Sequence, residues 1–539
     1  MILRGTRQLP STLRTVAAGS WWLVPLVIGL ALALAVLPFP QALILVVVPV
    51  VGLLVLTDPI WALYGLVLSV SLQEVVLLPG GLTSTQALFV LAAGAWGIQV
   101  LAYPTRYLVF GRLAWGLAIL LWTFLLAAIT TPYSQLEGLK ETLRWATVAL
   151  TYLLALNSLR AHYAHSWRWR ASGLVMCLLL APGANAMLGL WQFATASGPP
   201  SFAIADGNFV RAYGTIGQPN SFAGYMNMAW PLALALAVGA WVSMYPRLHA
   251  LAGAARAPHT TAQPGATLRT SLFFSGLAGL LIAAVGTSFS RGGWLGALTG
   301  GGALLLALIS FLHGSQRTLA WRWVGGLAAS GVLLLALGGG GMLPGAVAQR
   351  IDSITRNLRL FDVRTVKITS DNFAVVERMA HLQAGWDMFR QHPLTGVGPG
   401  NYTLAYEGQI GWQTYPFSIH PWYRSRGHTH NYYLNLAAEV GLAGLLAYLL
   451  LLGLLIKQAY ATLQAAQGWF WRSVAAGGAG VIAAVAMHNL FENLHVLNMG
   501  VQLGALWGLL TAIEYNMRSP VMSMVPPPVS PIDSPGHMV

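Results

Sequence analysis

Two histidines, an asparagine and a glutamate open an apolar run at residues 428–441, HTHNYYLNLAAEVG. Polar groups at the mouth of a membrane helix are costly unless they have a task. Asn431 suits the N-cap of the entering helix. His430 then faces the positive end of the helix dipole, which disfavours imidazolium. A neutral imidazole is what a general base needs near neutral pH. A polar cap without chemistry and a metal site are the other readings. H-x-H alone is a weak ligand spacing, and no third ligand stands near it in sequence. Glu439 lies about two turns into the helix. It is an intramembrane carboxylate, either functional or paired with an arginine.

Arginines supply the second kind of chemistry. Arg291 sits in TSFSRGGWLGAL, among small residues that let a ligand or another backbone approach closely. It suits either snorkelling to headgroups or a planar fork on a phosphate. Residues 372–391 place Phe373, Val376, Met379, Leu382, Trp386 and Phe389 at three- and four-residue steps. That pattern predicts an amphipathic helix, capped by Asp371 or Asn372 and able to lie on a bilayer. Arg378 and His381 fall one turn apart on it, and Arg378 is either solvated or a further anion ligand. HPLTGVGPGNY then closes the segment in a tight loop.

The elements that must position these groups are membrane helices. Hydrophobic residues make up 56% of the 539 and charged residues only 8%, with a mean hydropathy of +0.63. A soluble chain carries about a quarter charged residues. Continuous apolar runs predict an all-α, polytopic membrane protein, and their lack of alternation excludes a β-barrel. Cys177 stands alone, so there is no disulfide framework and no thiolate metal site. Hydropathy predicts about fourteen transmembrane helices. They lie near 21–37, 41–57, 60–78, 86–103, 113–130, 138–158, 171–193, 220–243, 271–289, 292–312, 323–342, 431–456, 473–491 and 496–515. The first is read as a membrane helix rather than a cleaved signal, because a second apolar run follows PFP at once.

Charge orients these spans. Sixteen of the 29 basic residues fall on segments that share a side with the N-terminus, and the short loops of the other side hold almost none. Basic loops mark the cytoplasm. The predicted organisation is therefore a cytoplasmic N-terminus at 1–20, spans over 21–342 and an extracytoplasmic loop at 343–430 carrying the amphipathic helix. Spans resume over 431–515, and a Pro- and Ser-rich disordered cytoplasmic tail follows at 516–539. The same bias accounts for much of the net charge of +14 without nucleic acid. The patterned polar stretches then share the outer side: 134–144, 211–225, 290–294, 377–402, 428–431 and 488–495.

Together these stretches resemble the O-antigen ligase and polymerase family of bacterial membrane glycan transferases. An R-x-x-G-x-x-x-x-P-N element is matched by Arg211, Gly214, Pro219 and Asn220, and an S-R-G element by Ser290, Arg291 and Gly292. An arginine-led helix running into P-L-x-G-x-G is matched by Arg378, Pro393, Leu394, Gly396 and Gly398. H-N-x-x-L followed by E-x-G-x-x-G is matched by His430, Asn431, Leu434, Glu439, Gly441 and Gly444. The match spans roughly residues 130–515, with order and spacing kept.

The resemblance implies a GT-C-like transferase of the cytoplasmic (inner) membrane with an extracytoplasmic site. A glycan on a polyprenyl diphosphate is the donor, and a hydroxyl of a glycan, lipid or protein is the acceptor. Arg291 and Arg378 would bind the diphosphate and His430 would take the acceptor's proton. Arg211, Asn220, His428, Asn431 and Glu439 would bind substrate. A protein O-oligosaccharyltransferase and a transporter of small anionic solutes are the alternatives; a transporter calls for polar groups near the bilayer midplane. No nucleotide loop is present, so no cofactor is expected. The carboxylates Glu137, Glu141, Asp206, Glu377 and Glu492 are scattered singly, without D-x-D, so no metal is expected either.

Overall fold

The computed structural model describes residues 52–75, 83–102, 108–160, 167–204, 207–251, 267–312, 373–407 and 427–518, with scattered positions between 314 and 366. The chain is mostly helical. The helices used below are α1 (Ile60–Ser69), α2 (Ser84–Ala102), α3 (Arg112–Thr130), α4 (Gln135–Ser158), α5 (Trp167–Ala194), α6 (Pro219–Asn227) and α7 (Trp230–Leu251). They continue with α8 (Leu268–Thr287), α9 (Arg291–Ser310), α10 (Phe373–Gln391), α11 (Tyr402–Glu407), α12 (Tyr432–Ala465), α13 (Gly468–His488) and α14 (Gly500–Arg518). A two-stranded antiparallel ribbon, Ala203–Ile204 with Phe209–Val210, precedes α6.

Among the described residues, eight helices are long and apolar enough to cross a membrane, against the fourteen expected. They are α2, α3, α5, α6 continued into α7, α8, α9, α12 and α13. The expected spans 21–37 and 323–342, and most of 41–57, lie outside the described residues or almost wholly so, as do the termini 1–20 and 519–539. The remaining differences have physical causes. The 60–78 span is only ten residues of helix, because the chain turns after Ser69. Helix α4 begins with QLEGLKETLR, which lowers its hydropathy. Helix α14 is buried almost without interruption from Gly500 to Glu514. A helix enclosed by protein needs no lipid-facing apolar surface, so Gln502, Thr511, Glu514 and Asn516 are tolerated on it.

Small residues let α14 sit that deep. Gly500, Gly504 and Gly508 recur every four residues and face α4. A Cβ added at Gly504 would lie 2.6 Å from the Val148 carbonyl oxygen, and one at Gly508 2.6 Å from that of Tyr152. This is small-xxx-small packing, in which backbones meet directly.

A second, smaller core caps one end of the bundle. Helix α10 buries Val376, Met379, Ala380, Ala384 and Met388 against Val397, Tyr402, Ala405 and Tyr406 and against Ala438 of α12. The sequence pattern finds this helix and part of its inner face, since Val376, Met379 and Leu382 of the predicted stripe pack into this core. Trp386, assigned to the apolar stripe, is 52% exposed, while the alanine row one position round is inside. Alanines pack close to α12 and a tryptophan does not. The predicted caps, Asp371 and Asn372, and most of the 343–430 segment lie outside the described residues.

The bundle has two chemically distinct ends. At one, Glu514 of α14 takes Arg112 at 2.8 Å and Arg518 at 3.2 Å, and Arg170 pairs with Asp58 at 2.6 Å. At the other, the tip between α3 and α4 joins the α10–α11 cap: Asn401 Oδ1 accepts the Ser134 N–H at 3.0 Å. The polar stretches picked out in sequence gather at this second end.

Candidate functional site

Asn431 caps α12 as expected, its Oδ1 accepting the Leu434 N–H at 3.0 Å. The residue before it pays for the turn: His430 has φ +54°, a left-handed backbone that a non-glycine residue adopts at a cost of about 1–3 kcal/mol. The cost is repaid locally. The His430 N–H donates to Nδ1 of His428 at 3.0 Å, and the two rings lie 4.8 Å apart.

That hydrogen bond fixes a tautomer. Because Nδ1 of His428 accepts, its proton is on Nε2, and Nε2 lies 2.8 Å from Oε1 of Glu492. Glu492 comes from the turn after α13, far away in sequence. Its other oxygen, Oε2, accepts from Asn220 Nδ2 at 2.9 Å. Asn220 Oδ1 in turn accepts from Arg211 Nη2 at 3.0 Å, and Arg211 Nε donates to the Ser288 carbonyl at 2.8 Å. A continuous chain therefore runs from Arg211 through Asn220, Glu492 and His428 to the backbone of His430. Burial disfavours the Glu492 charge, but the two histidines beside it, His428 foremost, outweigh that and hold the carboxyl well below its usual range.

His430 is held differently. Its Nδ1 is buried, has no hydrogen-bond partner among the described residues, and lies 3.7 Å from Glu492 Oε1, an ion-pair distance rather than a hydrogen bond. His381 of α10 presents its ring 5.7 Å away in a T-shaped arrangement. Tyr402 sets that ring: its hydroxyl donates to the His381 carbonyl at 2.9 Å, so it accepts from His381 Nδ1–H at 2.9 Å. Burial, with His430 and His428 nearby, lowers the His381 pKa to about 3, so it stays neutral.

Arg291 opens α9, one residue after the Ser290 N-cap. The helix start lies on the turn that carries Glu492. A Cβ at Gly292 would come 2.8 Å from His488 Cδ2 and 2.9 Å from Phe491 Cβ. Arg211, bonded to Ser288, reaches the same place from the ribbon. Arg378 is one turn before His381 on α10, so it approaches from the histidine side.

Glu439, expected to bind substrate, has both oxygens engaged by the chain. Oε1 accepts the Tyr402 N–H at 3.0 Å and Oε2 accepts from Asn435 Nδ2 at 3.0 Å. The helix breaks two residues later at Gly441 (φ +71°). Into that break the PLTGVG loop lays its backbone. Val397 N–H reaches the Ala438 carbonyl and Gly398 N–H that of Glu439, both at 2.9 Å, while Leu442 N–H reaches Pro393 O at 2.8 Å. The two glycine motifs are halves of one joint.

His428, His430 and Glu492 also have metal-like spacing, their ligand atoms lying within 4.8 Å of one another. This corrects the expectation that Glu492 stands alone and that H-x-H lacks a third partner. The donor set nonetheless fits a metal poorly. A ligating histidine donates its other ring N–H to a neighbour, whereas Nδ1 of His428 accepts. Its Nε2 carries the proton and offers no lone pair.

Local spacing could not reveal Glu492, since its partners lie more than 60 residues back along the chain. The HNLFENLH stretch was visible as polar; its role was not. Comparison with known proteins gives one family match. Residues 276–449 match a family model described as O-Antigen ligase, covering Arg291, Arg378 and the 428–441 segment but neither Arg211 nor Glu492. No curated protein matches the chain.

Proposed function

We propose that this multi-pass membrane protein, which carries an O-antigen ligase domain over residues 276–449, transfers a glycan from a polyprenyl diphosphate to an acceptor hydroxyl at the outer face of the cytoplasmic membrane. The observation that carries the reading is the hydrogen-bonded chain that joins Arg211 to a carboxylate-backed histidine pair at one end of the bundle. Among the described basic residues expected in the cytoplasm, Arg112, Arg170 and Arg518 form ion pairs at the other end. A transporter would instead place its polar groups near the midplane.

In this reading the acceptor oxygen attacks the anomeric carbon, the bond from that carbon to the diphosphate oxygen breaks, and the diphosphate leaves with the electron pair. His430 takes the hydroxyl proton. Both nitrogens of His428 are occupied, so His428 orients rather than abstracts. Arg211, fixed through Nε and Nη2, is a preorganised cation for the leaving charge, and Arg291 at the start of α9 and Arg378 one turn before His381 on α10 are the further candidates. Asn220 sets the Arg211 plane, and Asn431 and Glu439 build the helix mouth and loop that hold His430. Guanidinium groups supply the positive charge, and the His428 tautomer disfavours a metal, so we propose metal-free catalysis.

The test uses sealed right-side-out vesicles loaded with lipid-diphosphate-linked glycan. Acceptor is supplied only outside, in excess EDTA. Product should form at an undiminished rate. Product formed only when acceptor is inside would sink the topology, and loss of activity restored by Mg²⁺ or Zn²⁺ would sink the metal-free mechanism.

A further inference from the structure

We propose that Glu492 is a positioning residue for this reaction, joining the diphosphate-binding arm to the base; the inference rests on the transferase reading above. The reason is donor counting. Glu492 receives Nε2–H of His428 on one oxygen and Nδ2–H of Asn220 on the other. Asn220 cannot flip to present its oxygen instead, because Oδ1 already accepts from Arg211. His428 cannot move its proton, because Nδ1 accepts the His430 N–H. Every group in the chain therefore points a donor at residue 492, and only a side chain with two acceptor oxygens satisfies both. A glutamine brings a surplus donor that must face either Asn220 or His428.

The carboxylate has a second effect. At 3.7 Å from Nδ1 of His430 it favours the imidazolium formed when that ring accepts the acceptor's proton. The other charged or titratable groups around the pair are His428, His381 from α10, His488 from the end of α13, Arg291 from the start of α9, and Arg211 through Asn220. The cations oppose the imidazolium, and Glu492 is the anion that meets it. Glu492 lies outside the matched 276–449 segment, in a turn joining α13 to α14.

The test is the pH profile of transfer for the full-length wild type, Glu492→Gln, Glu492→Asp and His430→Ala in the vesicle assay. Glu492→Gln should lower kcat at least about tenfold. Its acid limb should move to lower pH, since a base without its anion protonates less readily. Glu492→Asp keeps the charge at a greater distance, so it should fall between wild type and Gln in both rate and limb. It also serves as the test if Glu492→Gln does not fold, as judged by its thermal melt. A wild-type rate and limb in Glu492→Gln, with His430→Ala inactive, would overturn the role of Glu492 alone. A loss of rate with an unmoved limb and no recovery in Glu492→Asp would reduce it to a structural strut. Near wild-type turnover in His430→Ala would instead overturn the base assignment.

Discussion

At the scale of single residues, the site is governed by which imidazoles can carry charge. His381 and His495 are buried outside the membrane-crossing helices, and burial lowers each to a pKa of about 3. In the unfolded chain an ordinary histidine takes up a proton near pH 6.5. Folding therefore excludes protons that the unfolded chain binds. The stability contributed by these neutral rings is complete above about pH 6.5 and is lost as pH falls toward 3. A thermal melt of the purified protein should drop by at least about 3 °C between pH 7.5 and 5. A transition that stays level over that range would contradict the burial of these rings. Sequence showed His430 and Asn431 because their meaning is local, a cap and the residue before it. It did not show the His428 tautomer, which depends on a backbone N–H two residues on and a carboxylate in another turn.

At the scale of elements, the PLTGVG loop and the EVG of α12 act together. Both motifs are readable in sequence as glycine-marked turns. That they are one joint is not, because the contact runs backbone to backbone and leaves no side-chain pattern. A Cβ at Gly441 would stand 2.2 Å from the Leu394 carbonyl oxygen, and one at Gly396 2.2 Å from the Glu439 carbonyl carbon. Both positions also need positive φ. Gly441→Ala should therefore destabilise the protein by on the order of 2–4 kcal/mol. It should also slow transfer, since the joint holds the helix that carries His430. Comparing its melt with that of Gly302→Ala, where an added Cβ meets nothing within 4 Å, checks this. Equal melting of the two variants would show the joint to be unimportant. Helix α10 gives the complementary lesson. Its periodicity was legible, and Val376, Met379 and Leu382 do face inward, but the alanine row that meets α12 was not, because close packing there favours alanine over a residue as large as Trp386.

At the scale of the whole molecule, hydropathy located the enclosed helices α4 and α14 as well as the more apolar ones, but not which of them the protein encloses. Helix α14 carries four polar side chains and is buried nearly throughout, so its place follows from Gly500, Gly504 and Gly508 rather than from apolar content. The charge pattern led to the expectation that the polar stretches share one side, and their described residues do meet at one end of the bundle. It could not say that residues from six of them touch. The central claim is that His430, at that shared end, is the base of a glycan transfer from a lipid diphosphate. The measurement closest to it is the initial transfer rate of His430→Ala against wild type, with donor binding measured on the same preparations. The rate should fall by about 10²–10⁴-fold while donor affinity stays within about twofold, because a general base contributes that much to the chemical step and little to binding. Turnover within threefold of wild type would contradict the account.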